Sequence, residues 1–291
     1  MSADARESGS ERLVLVVANE TIGGQALLDA VHRHAQDGAR FVVCVPRSGP
    51  KHGNIIYDDT VFQAAQVRVD LARSFLRNEG IEAVGEVGDP DPYAATIDAV
   101  HEYSPDEIII STHPETRSGW LRRSLVERIE QATGLPVEHV LVDLDKESLP
   151  FTVTLVVANR TASDAALIRR LKEKASDEHH LFIVVIPQEG GQGAAAAAAR
   201  GRLDQVLQLL RDEGLLCAGM IGDPDPYTAT MNALHFFRIG EVVISTFDEH
   251  RSGWLRTHLV ERVRNATEAP VEHVVSERRR DATPAEPAAS A

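Results

Sequence analysis

Short unbroken apolar runs alternate along the chain with longer stretches in which apolar residues recur at helical spacing. Residues 13–18 form a continuous apolar run, as expected of a strand buried on both faces. Residues 24–36 carry apolar positions three and four apart and predict a helix. Residues 41–45 read as a second strand stopped by Pro46, and 59–78 as a long helix ending at Gly80. A third strand follows at 82–87. The helix predicted over 92–103 has Asp91 as its cap and Pro92 at its first position. A fourth strand at 107–111, a helix at 119–133 capped by Ser118, and a fifth strand at 137–142 complete the unit. The same order then repeats, with the alanine run 194–199 extending the second helix of the second unit.

The repetition is also one of residues. Gly88-Asp89-Pro90-Asp91-Pro92-Tyr93 recurs as Gly222-Asp223-Pro224-Asp225-Pro226-Tyr227, and Arg117-Ser118-Gly119-Trp120-Leu121-Arg122 recurs as Arg251-Ser252-Gly253-Trp254-Leu255-Arg256. Over 88–143 against 222–277, 32 of 56 positions are identical without a gap, at a constant offset of 134. Earlier in each unit the offset is 140 to 141, so the first unit carries about seven more residues between Pro46 and Gly88. Length differences fall in surface loops. The domains are therefore set at 11–146 and 150–277, with disordered tails expected at 1–10 and 278–291, the latter rich in Ala, Pro and charge. Strict β/α alternation predicts parallel sheets, reached by right-handed crossovers and covered by helices on both faces.

At 291 residues, with 43% hydrophobic and 25% charged residues, the composition is that of a globular protein. A net charge of −14 argues against nucleic acid or anionic membrane as partners. No apolar run nears the roughly 20 residues that span a bilayer, and the first dozen residues lack the apolar stretch of a secretory signal. A cytoplasmic protein is expected. Cys44 and Cys217 lie in apolar runs and read as buried thiols.

In an open α/β sheet a ligand binds beyond the carboxyl ends of the strands, where strand order reverses. The residues there are Asn19 and Asn159 after the first strands, Gly88, Asp89, Gly222 and Asp223 after the third, and Ser111, Thr112, Ser245 and Thr246 at the ends of the fourth. Arg117, Ser118, Arg251 and Ser252 follow, at the start of a helix. Hydroxyls, guanidinium forks and a helix N-terminus suit an anion. Against this, the Gly-Asp-Pro-Asp-Pro turn is equally explained as a strand-to-helix turn with its cap, and Arg117 by pairing with Glu115. His101 and His235, and His139 and His273, are duplicated without a metal-ligand spacing and read as packing residues; the paired Trp120 and Trp254 suggest a shared packing role. No nucleophile elbow, phosphate loop or metalloprotease motif is present.

With its five-strand order, its glycine turn opening a helix after the third strand, and Leu-Val-Glu-Arg followed by a Pro-Val strand, the chain resembles the universal stress protein family over residues 10–277. The resemblance implies two Rossmann-like domains, each an open parallel five-stranded sheet of order 3-2-1-4-5. It also implies pairing of two such domains, commonly through their fifth strands, here an intramolecular pseudo-dimer with room for a homodimer. ATP or another adenine nucleotide is the ligand it suggests, held after the fourth strand by a G-x2-G-x9-G-[S/T] motif. Neither half keeps those glycines: Thr112, Glu115, Arg123 and Ser124 stand there in the first, Thr246, Glu249, Thr257 and His258 in the second. The acidic residue expected after the first strand is replaced by Asn19 and Asn159. The expectation is a non-enzymatic stress-response or regulatory protein binding a nucleotide or other anion. A protein-interaction module without a ligand and a nucleotide hydrolase or transferase using Asp89 and Arg117 are the alternatives.

Overall fold

The computed structural model describes residues 12–47, 58–114, 119–144, 146–147, 149–177, 179–189, 193–247, 254 and 258–276; of 58 and 119–124 only the backbone is described. The first half runs β1 (Leu13–Val17), a 3-10 turn (Glu20–Gly23), α1 (Gln25–Gln36), β2 (Arg40–Pro46), α2 (Asp58–Asn78), β3 (Ala83–Gly88), α3 (Pro92–Tyr103), β4 (Glu107–Thr112), α4 (Gly119–Thr133) and β5 (Val137–Leu141). The second runs β6 (Thr152–Val157), α5 (Ala165–Asp177), β7 (His180–Pro187), α6 (Ala194–Asp212), β8 (Cys217–Gly222), α7 (Pro226–Phe236), β9 (Glu241–Thr246), α8 (Leu259–Ala266) and β10 (Val271–Val275). The predicted tails 1–10 and 278–291 lie outside the described residues. No described helix is long and apolar enough to cross a membrane.

Each half forms its own parallel sheet, in the order β3-β2-β1-β4-β5 and β8-β7-β6-β9-β10. The central strands are built mainly of Val, Ile and Leu because both faces are covered. In the first sheet, α1 and α2 cover one face through Leu27, Val31, Ala65 and Val69, while α3 and α4 cover the other through Ala95, Ala99 and Ile129. In the second, α5 and α6 cover one face and α7 and α8 the other. Strand order reverses between β1 and β4, and between β6 and β9.

The halves are not joined through their fifth strands. β5 and β10 each end a separate sheet, without pairing to one another among the described residues. The junction is α2. One face of this helix, with Ala65 and Val69, packs on its own sheet. The other, with Ala64, Val67 and Leu71, enters the core formed by Leu155, Ile183, Ala218 and Phe236 of the second half. A helix apolar on two faces is stable only when covered on both. Polar contacts fix the docking: Gln63 Oε1 accepts from the backbone N–H of Ile221 on the edge strand β8 at 2.9 Å, and Arg68 Nη2 donates to the carbonyl of Phe236 at the end of α7. Phe75 of α2 also meets Phe151, just before β6, with ring centroids 5.4 Å apart.

Candidate functional site

The turns after β3 and β8 are built by local bonds. Asp89 Oδ1 accepts from the N–H of Asp91 at 2.8 Å, and Asp91 Oδ1 from that of Tyr93. Asp223 and Asp225 repeat the pattern, with Asp225 capping Thr228. A Cβ on Gly88 would stand 2.7 Å from Ala95 Cβ and 2.8 Å from Cys44 Sγ; one on Gly222 would stand 2.6 Å from Ala229 Cβ. These glycines let a helix close onto its sheet. Tyr93 and Tyr227 of the same motif lie under the guanidinium groups of Arg128 and Arg262. The repeated Gly-Asp-Pro-Asp-Pro-Tyr and Leu-Val-Glu-Arg segments thus meet each other.

At the reversal points the crevice is bridged from within. Thr21 Oγ1 donates to the carbonyl of Ser111 at 3.3 Å, and Thr161 Oγ1 to that of Ser245 at 3.0 Å. Ser245 Oγ pairs with Ser276 Oγ at 3.1 Å. In the first half Val142 stands where Ser276 would be, and the buried Ser111 Oγ has no partner among the described residues. Thr112 and Thr246 each bond the Nε2 of the neighbouring histidine, His139 and His273, at 2.8 Å. Arg117, Ser118, Arg251 and Ser252 lie outside the described residues.

The second half adds a basic group that motif reading passed over. Arg160, just after β6, grips Glu189 with two parallel bonds, Nε to Oε1 at 2.8 Å and Nη2 to Oε2 at 2.9 Å. Asn159 Nδ2 reaches the same carboxylate at 3.3 Å and the carbonyl of Pro187 at 3.1 Å. Arg202 of α6 donates to Asn159 Oδ1. The hydrogen bonds from Arg160 hold the Glu189 carboxyl below its usual range. At the offset of 140 the residue matching Arg160 is Glu20, so the sign of charge reverses between the halves. That reversal was readable in the aligned repeats.

Metal-ligand composition occurs once among the described residues, at His34, Glu107 and Glu138, whose ligand atoms lie within 4.8 Å of one another. The equivalent place in the second half is a salt-bridge cluster, in which Lys174 Nζ lies 2.8 Å from Glu241 and 2.9 Å from Glu272. Glu138 is paired with Arg33 and His34. The repeat therefore marks this place as one of charge pairing. Both cysteines are free and buried, and burial pushes the Cys44 thiol up to about 12 and Cys217 to about 11.

Solved structures similar to the chain include a universal stress protein family member from Burkholderia pseudomallei, at 20% identity and TM-score 0.34, covering 45% of this chain and 97% of that one. A universal stress protein from Archaeoglobus fulgidus DSM 4304 matches at 14% identity and TM-score 0.33, covering 90% and 96%. A functionally unknown protein from Pseudomonas aeruginosa PAO1 matches at 16% and 0.30, covering 92% and 93%. The chain is similar in fold to universal stress proteins. At these identities the likeness concerns fold alone, and the fold itself rests on the strand order of the two sheets. No family model matches the chain, and no curated protein sequence does.

Proposed function

We propose that this chain is a non-enzymatic regulatory protein of the stress-response class that reads a small anion with its second half. The observation carrying this reading is the fork of Arg160 on Glu189, with Asn159 and Arg202 beside it, at the carboxyl end of β6. A guanidinium holding a carboxylate in two parallel bonds is equally suited to a phosphate or carboxylate from outside. Glu189 stands in for that ligand and competes with it. The first half has Glu20 at the matching position and lacks this basic fork, so the two halves are inequivalent.

An adenine nucleotide is the probe that the family resemblance suggests. Calorimetry of the full-length, nucleotide-free protein with ATP, ADP, AMP and a cyclic nucleotide tests the reading. Saturable binding at one site, weakened at least tenfold by Arg160→Ala and strengthened by Glu189→Gln, is the expected result. No heat with any of them, including in Glu189→Gln, would leave the interaction-module reading. That second reading has its own support: Leu141 on β5 and Val275 on β10 are about half exposed on sheet-edge strands, where a further chain can dock.

A further inference from the structure

A cavity of about 310 Å³ lies between the halves and reaches the turn after β1. It is bounded by α1 and α2 of the first half, the linker, and β6, β7 and the end of α7 of the second. Its walls are apolar, with Leu71, Phe75, Phe151 and Ile183 among them, and its mouth carries the exposed Glu20, His235 and Arg238.

One wall residue does not fit an apolar void. Arg68 is 7% exposed. Its Nη2 bonds the Phe236 carbonyl, and its guanidinium lies 5.2 Å from the centroid of the Phe237 ring. No described carboxylate comes within ion-pair distance of it; Glu20 acts on it only through space. Burial accordingly pulls its pKa down to about 10. A guanidinium offers five N–H donors, and buried charges are ordinarily paired. An arginine placed inside two packed hydrophobic layers, beside an open volume and with no described acid in ion-pair contact, can take an anion that enters through the mouth. A single buried guanidinium balances one negative charge, which a carboxylate carries and a phosphate group exceeds, and the remaining wall calls for hydrocarbon. A dry cavity of about 150 Å³ holds benzene, so this volume takes on the order of a dozen heavy atoms.

We propose that the cavity between the halves binds a single-chain amphiphilic carboxylate, with its head on Arg68 and its hydrocarbon tail along Leu71, Phe75 and Phe151. This site is independent of the anion site at Arg160. Because α1, α2 and the second sheet all line it, the ligand would bridge both halves.

The test uses delipidated full-length protein and decanoate well below its micellar concentration, with decanol as the uncharged counterpart, followed by calorimetry and thermal shift. Saturable binding of one decanoate per chain is expected. Arg68→Met should weaken decanoate at least tenfold while changing decanol less than about twofold. Should Arg68→Met fail to fold, Ala72→Phe fills the same cavity and leaves Arg68 in place; it should abolish decanoate binding in a folded protein. Absence of saturable decanoate binding by folded wild type overturns the proposal. So does equal loss of both probes in Arg68→Met, many decanoates per chain, or undiminished binding in Ala72→Phe.

Discussion

The guanidinium of Arg262 lies 3.9 Å from the centre of the Tyr227 ring, and Arg128 lies 4.1 Å from that of Tyr93. Each pair clamps the helix after the third strand of its sheet to the helix after the fourth. A cation over an aromatic face at a partly exposed site contributes about 1 kcal/mol. Arg262→Ala should lower unfolding stability by about that amount and Tyr227→Phe by much less, as chemical denaturation would read. The combined Arg128→Ala and Arg262→Ala losses should add, because the two clamps share no partner.

Gly88→Ala and Gly222→Ala should each cost about 2 kcal/mol, since the new methyl meets the Ala95 or Ala229 methyl, together with the Cys44 sulfur or Val185. Thermal melts of the two variants decide this. A glycine kept only for ligand approach would leave the melting temperature unchanged.

Lys174 is buried between Glu241 and Glu272. Lys174→Met should destabilise the protein by about 2 kcal/mol, because it leaves two half-buried carboxylates facing each other. The pH dependence follows from Glu272. Burial works against its charged form, but hydrogen bonds from Arg170 and Lys174 outweigh it and hold the carboxyl below its usual range. A depressed carboxyl contributes stability that is full above the ordinary glutamate value of about 4.3 and is lost as pH falls through its lower folded value. Glu272→Gln should flatten the acid limb of a stability profile below about pH 4 and leave its shape near neutrality unchanged.

The thiols of Cys44 and Cys217 are raised by burial and should not react with a thiol reagent at pH 8 in the native protein. Both should react on denaturation. Labelling of either in the folded state, read by mass spectrometry, would mean that the strand carrying it opens.

Expressed alone, residues 150–277 should be aggregation-prone, because the face that Ala64, Val67 and Leu71 cover would be bare. Co-expression with residues 1–149 should restore a soluble complex, seen as co-elution on size exclusion.

Most of the fold was legible. The strands buried on both faces announced themselves as unbroken runs such as Val14–Val17, and the caps Asp91 and Asp225 fixed helix starts. The role of Gly88 was not legible, because clearance to Ala95 is a tertiary distance that no local pattern encodes. The junction was legible but unread. Val61, Ala64, Val67 and Leu71 form one stripe of α2 and Ala65, Val69, Ala72 and Leu76 a second, whereas α6 buries Ala199, Leu203, Val206 and Leu210 on a single side. Two stripes on one helix call for two covers. Arg160 and Arg202 were missed because their partners, Glu189 and Asn159, lie across a crossover connection from them.

A helix that belongs to two cores at once also changes what the duplication means. Tandem copies are usually thought of as separable parts that recombination can trade or lose. Here either half on its own would carry an uncovered apolar face, a helix stripe in one and a sheet in the other. The two copies are therefore held together by a helix they share, even where they differ in charge, as Glu20 and Arg160 do.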